Sequence, residues 1–205
     1  MVLASSILAT GFKSKSMFKI IIAIAFFAGL VSFTSSPTPG ETIAGFDFGE
    51  SKSGADWRIM NDGVMGGLSE GDATLTEQSL ILKGQISLAN NGGFSSVRSP
   101  WNKTDISEAK NATLRYRSTG QLVSLCLEPN RRWWLPYYLI DLKPTQGEWQ
   151  TVSIPILNAK EYAWARPTGN NIETEQLGKI LRIGFMTNDK KESSFEFEVD
   201  YLRFE

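Results

Sequence analysis

The sequence predicts an all-β chain, an antiparallel β-sandwich or jelly roll with one or two short helices. Three observations carry this. Apolar residues recur with a period of two in many short segments, the signature of half-buried strands. Turn-forming groups fall between those segments: Asn61-Asp62-Gly63, Asn90-Asn91-Gly92-Gly93, Thr119-Gly120, Gln146-Gly147 and Asn188-Asp189. Gly, Asn and Asp supply the backbone conformations that tight turns need. Helical periodicity is weak throughout, and many short strands at even spacing build sandwiches.

The elements follow in order. Phe46 and Phe48 flank Asp47 in the first strand, and residues 57–60 form a second. Leu80, Leu82, Ile86 and Leu88 alternate with Ile81, Lys83, Gln85 and Ser87. Residues 94–98 and 112–118 continue the pattern, then Val123, Leu125 and Leu127, then Tyr138, Ile140 and Leu142, then Val152, Ile154 and Ile156. A short helix is expected over Asn158–Trp164 and a helical turn over Glu173–Gly178, before a strand over 179–187. Phe195, Phe197, Val199 and Tyr201 set one apolar face against Glu196, Glu198 and Asp200, the clearest half-buried strand in the chain.

Composition narrows the chemistry. The 205 residues hold 21 basic and 22 acidic side chains, one Cys and no His. Without His there is no Ser-His-Asp or Cys-His nucleophile and no His-ligated zinc. A lone Cys closes no internal disulfide, and Cys126 reads as a small structural residue. No cofactor and no metal is expected. Carboxylate chemistry stays open: Glu128, Asp141, Asp62 and Asp200 would have to converge to about 5–9 Å for a hydrolase.

Residues 1–36 differ from the rest. Lys13, Lys15 and Lys19 precede an apolar run from Ile20 to Phe33, with no acid before Glu41. This is the pattern of a secretory signal peptide or an uncleaved N-terminal anchor, and Met17 offers a second start. Residues 37–41 read as a linker and 42–205 as the domain. The domain is then exported or membrane-anchored and extracytoplasmic, touching the membrane only through the N-terminal segment; a mitochondrial location is the alternative. Setting residues 1–36 aside leaves a net charge of −4, which gives nucleic acid no electrostatic footprint.

Several blocks together resemble the complex I intermediate-associated protein 30 family. They are Phe46-Asp-Phe, Trp57, Asn61-Asp-Gly-Val-Met-Gly-Gly-Leu-Ser69, Gly84-Gln-Ile-Ser-Leu, Asn91-Gly-Gly-Phe-Ser-Ser-Val-Arg98, Glu148-Trp-Gln-Thr-Val-Ser-Ile-Pro155, Lys179-Ile-Leu-Arg-Ile-Gly-Phe185 and Phe195-Glu-Phe-Glu-Val-Asp-Tyr-Leu202. The resemblance implies a galactose-binding-domain-like β-sandwich. It also implies a non-enzymatic assembly factor, or chaperone, for respiratory NADH dehydrogenase complex I. Trp57, Asn61, Gly66, Gly67, Ser69, Gly92, Gly93, Phe94 and Trp149 are the motif positions, read as structural.

The binding candidates are Trp133, Trp134, Tyr137, Arg131, Arg132, Asp62 and Arg98. Adjacent tryptophans in a strand face opposite sides, so at least one of Trp133 and Trp134 is expected at a surface or rim. An exposed aromatic there would anchor a protein partner or stack on a sugar ring. Trp57, Trp149 and Trp164 read as core or packing residues. Asp62 serves as a turn cap or presents itself with the Gly-rich loop to a ligand; Arg98 pairs with an acid or reaches a ligand carboxylate. Three functions remain: a protein-binding assembly module for membrane complex subunits, an extracytoplasmic carbohydrate-binding module, and a carboxylate-based hydrolase.

Overall fold

The computed structural model describes residues 41–205. The leader and all of the linker but Glu41 lie outside the described residues. Strands β1 (Ala44–Asp47), β3 (Glu70–Leu75), β4 (Leu80–Ile86), β6 (Asn111–Thr119), β9 (Gln150–Pro155) and β13 (Ser193–Phe204) form one antiparallel sheet, in the order β3-β4-β13-β6-β9. β1 lies beside the second half of β13, on the side where β4 pairs the first half. Strands β2 (Arg58–Asn61), β5 (Ser95–Arg98), β7 (Val123–Glu128), β8 (Tyr137–Leu142), β10 (Lys160–Ala163), β11 (Arg166–Asn171) and β12 (Arg182–Thr187) form the second, in the order β11-β10-β8-β7-β12-β5-β2. Helix α1 spans only Thr174–Leu177. No helix among the described residues is long and apolar enough to cross a membrane.

The alternation read from the sequence buries one face of each sheet against the other. Leu82, Leu114, Tyr116 and Phe197 from the first meet Leu125, Leu127, Ile140 and Phe185 from the second. Phe185 and Phe197 touch across the gap at 4.9 Å between ring centroids. Phe48 and Trp57 close this core edge to face, 5.0 Å apart, so Trp57 is a core residue, as expected. The connections β4–β5, β6–β7, β8–β9 and β12–β13 pass between the sheets at one end of the sandwich. At the opposite end β1 starts, with Ala44 opposite Phe204, and β13 finishes.

Four expectations are corrected. In β13 the pairing with β6 slips between Val199 and Tyr201. The extra residue, Asp200, forms a β-bulge, which reverses the alternation. Leu202 and Phe204 therefore fill the core, while Tyr201 turns outward beneath the Arg203 guanidinium, 4.3 Å from its ring centre. Glu198 is not solvated: it is buried, accepting from Ser79 Oγ at 2.5 Å and Arg117 Nε at 2.6 Å. The helix expected over Asn158–Trp164 is strand β10, hydrogen-bonded to β8 and β11.

Trp149 is not in the core either. It lies outside the first sheet between Arg115 and Arg117, whose guanidinium carbons stand 4.4 and 5.1 Å from its ring centre. Arg115 also pairs with Asp200 at 2.7 Å. Cation–π contacts at such exposed sites contribute about 0.5–1 kcal/mol each. Trp149→Ala is expected to lower the unfolding free energy by about 1–2 kcal/mol in urea titrations; an unchanged midpoint would show the stack to be idle.

Candidate functional site

At the end where the sheets are joined, two distant loops meet around one carboxylate. Asp62 is buried. Its Oδ1 accepts from the Ser69 backbone N–H at 2.9 Å, and its Oδ2 accepts from Ser69 Oγ at 2.5 Å and the N–H groups of Gly93 at 2.6 Å and Phe94 at 3.3 Å. Burial opposes ionisation of Asp62, but the bonds from Ser69, Gly93 and Phe94 outweigh it and hold the carboxyl below its ordinary value. The glycines follow from this packing. A Cβ on Gly67 would lie 2.4 Å from the Asp62 carboxyl carbon, and one on Gly92 would lie 2.6 Å from its Oδ2. Asn61 adds two ties, donating to the Gly71 carbonyl at 3.0 Å and accepting from Ser95 Oγ at 2.7 Å.

Asn61, Asp62, Gly67, Ser69, Gly92, Gly93 and Phe94 thus form one structural device, and the oxygens of Asp62 are occupied within it. What the device presents outward is apolar. Val64, Met65 and Leu68 are 74, 61 and 61 % exposed. Leu88, in the loop that Ser69 Oγ holds through the Ser87 carbonyl at 3.1 Å, is also exposed. No charged residue occurs from Gly63 to Ser69 or from Gly84 to Val97. The three exposed apolar side chains thus sit together on one short loop.

The opposite end is aromatic. Pro129 and Pro136 bracket the β7–β8 loop, so Trp133 and Trp134 occupy a turn and not a strand, and both are exposed. They meet Trp164, which the β10–β11 turn carries; it is 62 % exposed and not a core residue. Trp133 stands edge-on to Trp134 at 5.9 Å and to Trp164 at 5.3 Å, while Trp134 and Trp164 stack at 6.4 Å. The Arg132 guanidinium carbon sits 5.7 Å from the centre of the Trp134 ring.

Below this cluster lies the outer face of the second sheet. Glu128 is gripped by Arg98 at 2.8 Å and by Arg182 at 2.5 and 2.9 Å, with all three side chains about nine-tenths buried. Arg98 is therefore engaged in an ion pair. Trp101, which the sequence did not single out, is flanked by Arg182 at 3.7 Å and Arg131 at 5.3 Å. Tyr137 stacks on Tyr162 at 5.7 Å, over Cys126, Leu139 and Met186. Burial pushes the Cys126 thiol up to about 12, which keeps it protonated and inert.

The four carboxylates do not converge. Asp62 is at the joined end, Asp200 on the outside of the first sheet, and Glu128 and Asp141 on the second. Asp141 pairs with Ser124 in register, four residues along β7 from Glu128, about 13 Å at strand spacing. Among the described residues, no three His, Cys, Asp or Glu side chains are grouped to hold a metal ion.

The model of the family described as complex I intermediate-associated protein 30 matches residues 46–199. No curated protein matches the chain. Among solved structures, it is similar to the family 11 carbohydrate-binding module of the cellulosomal cellulase Lic26A-Cel5E of Clostridium thermocellum. The TM-score is 0.57 and the identity 13 %, over 80 % of this chain and 96 % of that one. The Clostridium thermocellum family 11 module in complex with a β-1,3-1,4-mixed-linked tetrasaccharide gives a TM-score of 0.52 at 15 % identity, over 72 and 88 % of the chains. At these identities the likeness is one of fold, an antiparallel β-sandwich.

Proposed function

Because the chain belongs to the complex I intermediate-associated protein 30 family, we propose that it is a non-catalytic, protein-binding assembly module for a membrane complex of the NADH dehydrogenase type. One observation carries this reading. The Asn61–Ser69 block, through which the chain resembles the family, turns its polar groups inward around Asp62 and offers only Val64, Met65 and Leu68 to a partner. An uncharged aliphatic tip, already ordered before binding, suits an apolar groove on an assembly intermediate. The scattered carboxylates favour binding over hydrolysis. A leader of the signal-peptide or anchor type would set this work at or across a membrane.

The test is a pull-down of tagged protein from detergent-solubilised native membranes. Complex I subunits are expected with the unaltered chain and not with Met65→Glu/Leu68→Glu. Melting should barely change, since substitutions at exposed sites shift stability by about 0.5 kcal/mol or less. Recovery of those subunits by both proteins would remove the tip from the reading, and recovery by neither would retire the complex I role. A carbohydrate-binding reading is favoured by the two carbohydrate-binding modules of like fold and would use the aromatic end. It predicts retention on a mixed-linkage β-glucan affinity gel that Trp133→Ala abolishes; passage of the unaltered protein unretained would remove it.

A further inference from the structure

The aromatic end carries an assignment that does not depend on the aliphatic tip. We propose that Trp133, Trp134, Leu135 and Trp164, with Arg131, Arg132 and Arg166, seat the domain on the interface of an anionic lipid bilayer. Three observations converge.

The first is chemical. Tryptophan rings settle at the headgroup level of a bilayer, where an apolar ring and a polar N–H are both accommodated. Arginines beside them meet lipid phosphates. From Pro129 to Tyr137 and from Ala163 to Pro167 there are three arginines and no acid, on a domain whose overall charge is negative.

The second is geometric. Trp133 stands at 89° to Trp134 and at 81° to Trp164. Trp134 and Trp164 stack at 29° with Trp133 set edge-on to both, so the three rings make a compact apolar knob.

The third is backbone strain. Trp164 and Ala165 both take positive φ, 53° and 56°, in the two-residue turn between Ala163 and Arg166. Asn-Gly is the usual occupant of such a turn, and a left-handed conformation strains any residue that carries a Cβ. That strain holds an exposed tryptophan at the tip of the hairpin, against Trp133 and Trp134, as expected of a position kept for function.

The full chain suits the test because all six tryptophans lie between residues 57 and 164, so none reports on the apolar run. The protein is reconstituted into vesicles of phosphatidylcholine and phosphatidylglycerol with brominated acyl chains, and tryptophan emission is read. Bromolipid should quench the unaltered chain, and Trp133→Ala/Trp164→Ala should lose most of that quenching. Arg131→Glu/Arg132→Glu keeps every tryptophan and guards against misfolding of the first variant. It should lower the bromolipid quenching severalfold on these anionic vesicles. No quenching of the unaltered chain, or quenching undiminished in both variants, overturns the proposal. So does an emission change produced by mixed-linkage glucan oligosaccharide and not by lipid.

Discussion

Replacing Asp62 by Ala is expected to lower the unfolding free energy by about 3 kcal/mol or more, because it strands several buried donors at once. The N–H groups of Ser69, Gly93 and Phe94 would lose their acceptor. In a domain of this size that corresponds to a fall in melting temperature of about 10 °C. Asp62→Asn should also destabilise, since its amide would turn a donor toward donors. The pH dependence has a definite sign. The folded carboxyl titrates below its ordinary value of 3.8, so its contribution is complete above about pH 4 and is lost as pH falls through the depressed value. The advantage of the unaltered protein over Asp62→Asn should therefore shrink in melts below pH 4. An advantage that is flat with pH would show that the shape of the side chain matters and its charge does not.

Glu128→Ala is the second large effect. It leaves Arg98 and Arg182 facing each other with little water, about nine-tenths buried, and breaking a buried pair by removing one partner costs about 3–5 kcal/mol. The triple variant Glu128→Leu/Arg98→Met/Arg182→Met should regain most of that loss, because well-packed apolar side chains often replace a buried ionic group without penalty. Chemical denaturation of the three proteins decides it. A loss under about 1 kcal/mol in Glu128→Ala would mean that solvent already screens the triad.

Much of the sandwich was legible because its cause is local. Alternation along β4, β6, β7 and β12 names the residues of the core directly. The tail of β13 was not legible, since one inserted residue at Asp200 reverses the alternation and nothing in the residue types announces a bulge. The hairpin of β10 and β11 was missed for a related reason: Trp164-Ala165 lacks the Asn-Gly signature of the turn it makes. The strand reading of Trp133 and Trp134 gave too little weight to Pro129 and Pro136.

The joined-end site was half visible. The Gly-rich blocks at 61–69 and 91–98 were recognised separately, but the β3–β4 hairpin lies between them in the chain. Their meeting around Asp62 is a tertiary fact. Val64, Met65 and Leu68 were passed over because, without a period, apolar residues in a glycine loop look like filler. The signal lay in the absence of charge around them.

The place of β13 bears on how the molecule is made. It is the last strand, yet β4, β1 and β6 all bond to it. The N-terminal strand therefore waits for the C-terminal one, and the first sheet cannot close until Phe204 has left the ribosome. Pairings between such distant parts of a chain form slowly. During synthesis the first sheet is held open, and it completes itself only after the whole chain has been delivered.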